Sequence, residues 1–375
     1  MSSPHAAENL AKRQTNLADL LSKQGLDALA LNAGPSQIYF TGLHFHLMER
    51  PAVVLMAPKQ SPVLVLPEFE KGKVEGVGYE LRAVTYGEDP THWQASFNQA
   101  AKLLGAAKRV GVEGLRMRVM ELRYLEGAFP GAKFEAAEPL IAQMRMHKDE
   151  GEIAAMQRAV EIAEAALKAT LPKVKVGMTE KEIASELVQQ LYAHGSDPEL
   201  PFAPIVGAGP NSANPHATVS ERKLQKGDLL LFDWGASYEG YLSDLTRTFF
   251  VGEIDEEFKR IYEIVKLANQ AGREAAKPGA PCSAVDEAAR EVIEDSGYGP
   301  YFTHRTGHGL GMEGHEEPYM RAGNALPLAA GMTFTVEPGI YLAGRGGVRI
   351  EDNVVITKDG ARTLTSFPRE LQVIG

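Results

Sequence analysis

The stretch Leu229-Leu230-Leu231-Phe232-Asp233-Trp234-Gly235 decides how the chain is read. From Asp228 to Trp234 both alternating faces are largely apolar, as in a strand buried at the centre of a sheet. Gly235 to Gly240 supplies a turn, and Tyr241 to Val251 returns as a second strand, which brings Asp233 and Asp244 close across a hairpin. Long helical patterns surround it. They run from near Asp149 to about Leu171, from a Thr179/Glu182 capping box to about Ala193, over Glu256 to Ala275 and over Ser283 to Asp295. Phe202 to Gly207, Met332 to Glu337 and Val348 to Thr357 read as further strands. Long helices ahead of each strand group predict a curved, mostly antiparallel sheet backed by helices, an α+β arrangement rather than a doubly wound one.

Upstream the pattern differs. A helical run from Glu8 to Gln24 ends at Gly25, and short strands follow at Ala28 to Leu31, Pro51 to Ala57, Pro62 to Leu66 and Arg109 to Val112. Helical patterns occupy Trp93 to Leu104 and the region from Met117 to Gly127. This alternation predicts a separate α/β domain. A chain of 375 residues exceeds what one hydrophobic core usually organises, so two domains are expected, 1–144 and 145–375.

Composition excludes several classes of function. A formal net charge of -10 argues against nucleic acid as a partner, because such proteins neutralise phosphates with basic patches. No run of about 18 apolar residues is present to span a membrane, and the first residues lack the basic start and apolar core of a leader. The expected location is cytoplasmic. Cys282 is the single cysteine, so neither an intrachain disulfide nor a Cys-based zinc cage can form, and it reads as a structural thiol at a helix start.

The chemistry lies in scattered acids. Asp233 ends an apolar run where an unpaired carboxylate is costly to bury; a metal removes the penalty, and pairing with Arg247 is the structural alternative. Strand alternation puts Asp244, Thr246 and Thr248 on one face, Thr333, Thr335 and Glu337 on another, and Arg349 with Glu351 on a third. Three strands thus offer carboxylates on a polar side, around the glycine-rich run Thr306-Gly307-His308-Gly309-Leu310-Gly311-Met312-Glu313-Gly314-His315-Glu316-Glu317. Its glycines let backbone approach a ligand closely. Gly309 to Gly314 also fits G-x-G-x-x-G, but Glu313 would face an anion and no helix follows to receive phosphates. Oxygen-rich ligation with one imidazole suits Mn, Co or Zn in an open catalytic site. The four carboxylates of Asp233, Asp244, Glu337 and Glu351 balance two divalent cations, which can lower the pKa of a shared water and polarise a carbonyl.

This set resembles the pita-bread metallopeptidases, in particular their aminopeptidase P and prolidase branch, which cleaves between any residue and a following proline. The family's Asp, Asp, His, Glu, Glu ligands match Asp233, Asp244, His308, Glu337 and Glu351. The likeness is strong from about Arg145 onward and weaker in the first domain, where Ile38-Tyr39-Phe40-Thr41-Gly42 matches best. It implies a C-terminal pita-bread domain behind an N-terminal α/β creatinase/prolidase-like domain, an Xaa-Pro peptide substrate, two metal ions and a homodimer. It also implies that Glu337 shuttles protons, that His216 and His315 contact the substrate or its developing oxyanion, and that His304 and Arg349 line the proline side of the pocket. His304, Arg305, Arg345 and Arg349 are all candidates to capture a proline carboxylate. Gly314 departs from the larger apolar residue common in relatives, which bears on pocket shape. The alternative is an inactive or metal-free relative that serves as a peptide-binding module, which the complete ligand set disfavours.

Overall fold

The computed structural model describes residues 4–375; residues 1–3, part of the stretch read for a leader, lie outside it. The chain divides into two compact units, Met1–Met144 and Arg145–Gly375.

The first unit comprises α1 (Pro4–Gln24), β1 (Ala28–Leu31), α2 (Pro35–Thr41), β2 (Val53–Met56), β3 (Val63–Pro67), β4 (Arg82–Tyr86), α3 (Trp93–Leu104), β5 (Arg109–Val112), α4 (Val119–Ala128), β6 (Lys133–Ala136) and α5 (Glu138–Arg145). One mixed sheet of order β4-β3-β2-β1-β5-β6 carries them. Strands β1, β2, β3 and β5 bury almost completely, with Phe97, Ala100 and Leu104 of α3 packed on one face. Three elements escape sequence patterning. Helix α2 spans only seven residues between Pro35 at its start and a left-handed Gly42 at its end, too short for a helical period to show. Strands β4 and β6 are the sheet's two edges, where half-buried Arg82 and Glu135 and exposed Lys133 dilute the apolar signal.

The second unit begins with α6 (Glu150–Thr170) and α7 (Glu180–Ala193), each opened by a reciprocal capping box, Asp149 with Glu152 and Thr179 with Glu182. There follow β7 (Ile205–Ala208), β8 (Leu229–Trp234), β9 (Ser237–Tyr238), β10 (Tyr241–Leu242), β11 (Leu245–Val251), α8 (Glu256–Ala275) and α9 (Cys282–Asp295). The chain ends through β12 (Gly307–Gly309), β13 (Glu316–Met320), β14 (Thr333–Val336), β15 (Gly339–Leu342), β16 (Gly346–Arg349), β17 (Asp352–Ile356), β18 (Ala361–Thr363) and β19 (Val373–Ile374). One sheet runs β19-β11-β8-β7 and another β13-β12-β14-β17-β18, with all pairs antiparallel except β11 with β19.

Period-two alternation sorts the two central strands. Leu230, Phe232 and Trp234 of β8 and Leu245, Phe249 and Val251 of β11 join the core built on α6 and α7, and Trp234 Nε1 donates to Ala163 O at 2.8 Å. Leu229 and Phe250 face the opposite way, onto Phe258, Ile261 and Tyr262 of α8. Asp233, Thr246 and Thr248 share that second face by the same alternation, so the polar positions open where the α8 core ends.

The expected strand over Tyr241 to Val251 is interrupted at Ser243-Asp244, and that over Val348 to Thr357 at Ile350-Glu351. Each interruption falls on a candidate ligand. At the first, the Ser243 carbonyl oxygen closes on Gly235, where a Cβ would lie 1.9 Å from it. At the second, Glu351 N donates to Thr246 O at 3.1 Å, an isolated bridge that links the two sheets.

Arg247 locks this link. Its buried guanidinium donates to the carbonyls of Thr246, Glu351 and Phe367 at 2.8, 2.7 and 2.8 Å and pairs with Asp352 at 2.8 Å. Burial alone would raise the Asp352 carboxyl, but Arg247 and Arg369 hold it below its ordinary value. Removing Asp352 strands Arg247 in the interior, so Asp352→Ala is expected to lower stability by about 3–5 kcal/mol. Denaturant unfolding followed by near-UV circular dichroism measures it.

Candidate metal centre

A cavity of ≈ 790 Å³ in the second unit is lined by Asp233, Asp244, His308, Glu337 and Glu351, together with His216, His304, Arg305, His315 and Arg349. The five metal-ligand candidates thus come together from separate points of the sequence. Asp233 stands on β8, Asp244 at the break before β11, His308 in the middle of β12, Glu337 just past β14, and Glu351 between β16 and β17.

Ligand atoms of Asp244, His308 and Glu351 all lie within 4.8 Å of one another. His308 Nε2 is 3.4 Å from Glu337 Oε1 and 3.7 Å from Asp244 Oδ2. Its other ring nitrogen, Nδ1, lies 3.1 Å from Gly309 O; an Nδ1–H donated there leaves the Nε2 lone pair facing the acids, as metal ligation requires. Close crossing of backbones makes this possible. A Cβ on Gly307 would sit 1.9 Å from Thr335 O, and one on Gly309 would sit 2.4 Å from the Glu317 carbonyl.

Each ligand has a support. The Thr335 hydroxyl accepts from His308 N at 3.1 Å and donates to Glu337 at 3.3 Å, and Thr246 Oγ1 donates to Glu351 at 2.7 Å. Asn353 accepts from Asp244 N at 3.1 Å and returns its amide N–H to Asp244 O. Arg349 Nη2 pairs with Asp233 Oδ2 at 2.5 Å. Arg247, the partner considered from sequence, belongs to Asp352 instead, because it projects from the opposite face of β11. Nor does Arg349 pair with Glu351. Its Nε and Nη1 go to Thr246 Oγ1 at 2.9 Å and Tyr341 OH at 3.0 Å.

Of the other expected residues, His304 is fixed by Arg305 O at 2.7 Å and Tyr341 OH at 2.8 Å. His315 is exposed, its ring centroid 3.9 Å from that of His308, and His216 is exposed at the pocket wall. Arg345 does not line the cavity and pairs with Glu257 at 2.7 Å. Tyr341, Asn353 and Thr335 were not singled out from the sequence as supports. Only Thr335 carried a signal, its place two residues before Glu337 on the polar face of β14.

Electrostatics give this arrangement its meaning. Burial, then Glu351 and Asp233, push the Asp244 carboxyl far above its ordinary value, and burial, then Glu337 and Asp233, do the same to Glu351. Burial also raises Asp233, despite Arg349, and pushes Glu337 up to about 7. Burial and His315 push His308 down to about 3, the neutral form that a metal needs. Asp233 Oδ1 is buried without a hydrogen-bond partner among the described residues. Acids held together at this cost, an orphaned carboxylate oxygen and a neutral imidazole together fit divalent cations.

Comparison with known proteins agrees with this chemistry. Residues 154–358 match metallopeptidase family M24, and residues 13–147 match the creatinase/prolidase N-terminal domain. The chain belongs to metallopeptidase family M24. It is therefore a metal-dependent peptidase that works with divalent metal, and the expected pita-bread domain behind a creatinase-like domain is the fold it has. An Xaa-Pro dipeptidase of Lactobacillus delbrueckii subsp. lactis is 35% identical over 359 residues, covering 96% of this chain and 98% of the relative. A dipeptidase from Pyrococcus horikoshii OT3 matches with a TM-score of 0.90 at 37% identity, over 96% of this chain and 100% of that one. Prolidase from Thermococcus sibiricus matches with a TM-score of 0.91 at 34% identity, over 97% and 99%. No described helix is long and apolar enough to cross a membrane.

The raised carboxyls imply a pH dependence for this M24 centre. Glu337 moves from 4.5 to about 7, so without a cation the folded chain keeps a proton that the unfolded chain releases as pH rises between those values. Below that window Glu337 contributes nothing; through it the metal-free fold loses stability, and Asp244 and Glu351 shift in the same sense. A bound cation takes over the role of those protons. The rise in Tm on adding Mn is therefore expected to be small near pH ~5 and much larger near pH ~8, which calorimetry with and without chelator checks.

Proposed function

We propose that this chain hydrolyses the bond between an N-terminal residue and a following proline, as an Xaa-Pro dipeptidase or Xaa-Pro aminopeptidase. The observation that carries the proposal is the meeting of Asp244, His308 and Glu351 ligand atoms within 4.8 Å, with Glu337 and Asp233 in the same buried cavity. Full-length likeness to an Xaa-Pro dipeptidase and to prolidase favours proline-containing dipeptides over longer chains.

Asp233, Asp244, His308, Glu337 and Glu351 are the proposed ligands, for two divalent cations drawn from Mn, Co and Zn. Cations held there supply Lewis acidity and make water a nucleophile at neutral pH. The chain's own residues do the rest. Prolyl nitrogen carries no hydrogen in the substrate and must gain a proton to leave as an amine. Glu337, whose Oε1 lies 3.4 Å from His308 Nε2 inside the cavity, is the carboxylate proposed to take up that proton and pass it on. His315, beside His308, and His216, on the cavity wall, are the proposed hydrogen-bond donors to the carbonyl oxygen as charge develops on it. His304 and Arg349, joined through Tyr341, form the wall on which the prolyl ring rests.

The domain reading, 1–144 followed by 145–375, belongs to the same proposal and is supported by the compact units. So does a cytoplasmic homodimer, for which the support is a lone buried thiol suited to a reducing compartment and the likeness to the prolidase branch.

Asp233→Ala, His308→Ala and Glu337→Ala are each expected to lower Ala-Pro hydrolysis by about a thousandfold or more while far-UV circular dichroism is retained. Exhaustive chelation should abolish wild-type turnover, and Mn, Co or Zn should restore it; activity that survives chelation overturns the proposal. Comparing Ala-Pro with Ala-Pro-Ala decides between dipeptidase and aminopeptidase.

A further inference from the structure

Four cationic or imidazole side chains were candidates to receive a carboxylate, and their surroundings differ. Arg345 pairs with Glu257 and does not line the cavity. Arg349 is buried and committed to Asp233, Thr246 and Tyr341. Both ring nitrogens of His304 are engaged, by Arg305 O and Tyr341 OH. Arg305 alone remains. It lines the cavity, is half-buried, and lies over the Tyr319 ring with Cζ 4.3 Å from the centroid. Among the described residues no carboxylate or carbonyl binds its guanidinium.

We propose that Arg305 is the receptor for a carboxylate of the substrate, an inference that rests on the Xaa-Pro reading above. A guanidinium held over an aromatic ring keeps its N–H edge free, and that edge is a rigid fork matched to two carboxylate oxygens. It shares the lining of one cavity with Glu337, His308 and His315. An Xaa-Pro dipeptide brings a carboxylate there in two ways. The proline C-terminus lies one residue past the scissile bond, and an acidic side chain on the first residue lies a similar distance before it. Both present the same chemistry to Arg305.

Two matched pairs distinguish the sources: Ala-Pro against Ala-Pro amide, and Glu-Pro against Gln-Pro. Wild-type enzyme loaded with Mn is assayed on Ala-Pro first; absence of cleavage there defeats the underlying reading, not the role of Arg305. Given cleavage, Arg305→Gln is expected to lower kcat/KM for the carboxylate-bearing member of one pair by about ten- to a hundredfold more than for its neutral twin, chiefly through KM. The affected pair identifies the carboxylate. Arg305→Lys keeps the charge and loses the fork, so an intermediate loss is expected, and it carries the test if the glutamine variant does not fold. Should the folded variants leave both ratios within about twofold of wild type, Arg305 is no carboxylate receptor.

Discussion

Mutual repulsion among buried carboxylates is the constraint on which the second unit turns. Asp233, Asp244, Glu337 and Glu351 share one cavity, and each is pushed toward its protonated form by burial; repulsion from neighbouring acids adds to the shift at Asp244, Glu337 and Glu351. A fold does not gather such charges for stability, since a low-dielectric site magnifies the repulsion between them. The penalty makes sense only where positive charge is delivered, and the single neutral imidazole among the acids points to a metal as its carrier. The M24 family assignment and the electrostatics therefore describe the same fact from two sides.

The surrounding framework holds the acids against that repulsion. Thr335, Thr246, Asn353 and Arg349 each grip one of them, Thr335 holding His308 as well, and none is itself a candidate ligand. Behind these, the Arg247–Asp352 pair clamps the backbone on both sides of the bridge between Thr246 and Glu351. Two networks of opposite purpose thus lie back to back across one strand. One is fully paired and inward; the other is deliberately short of positive charge and open to the cavity.

Much of this was legible in the sequence, for identifiable reasons. Helices α3 and α8 and strands β1 and β5 carry enough apolar periodicity to be bounded from residues alone, and the two capping boxes announce themselves by spacing. The ligand set was legible because an acid closing the run Leu229 to Phe232 is anomalous and because the glycines around His308 are dense. What stayed hidden depends on tertiary pairing. Nothing local to Arg247 or Arg349 tells which acid each will meet; that follows from the face of β11 on which one stands and from the hairpin β15/β16 that aims the other. Tyr341 is equally mute in sequence, its hydroxyl acquiring meaning only where His304 and Arg349 converge on it. Edge strands β4 and β6 failed for a different reason, their exposure having erased the pattern.

Gly235, Gly307 and Gly309 carry a consequence beyond this enzyme's chemistry. At each, a neighbouring carbonyl occupies the space a side chain would need, at 1.9 to 2.4 Å from the would-be Cβ. A descendant that exchanged a ligand carboxylate for a neutral residue would lose its reaction and keep its shape, whereas one that exchanged any of these glycines would lose the shape itself. Purifying selection on the scaffold should thus outlast selection on turnover, leaving a fossil imprint of bare crossings in lineages that have abandoned metal altogether.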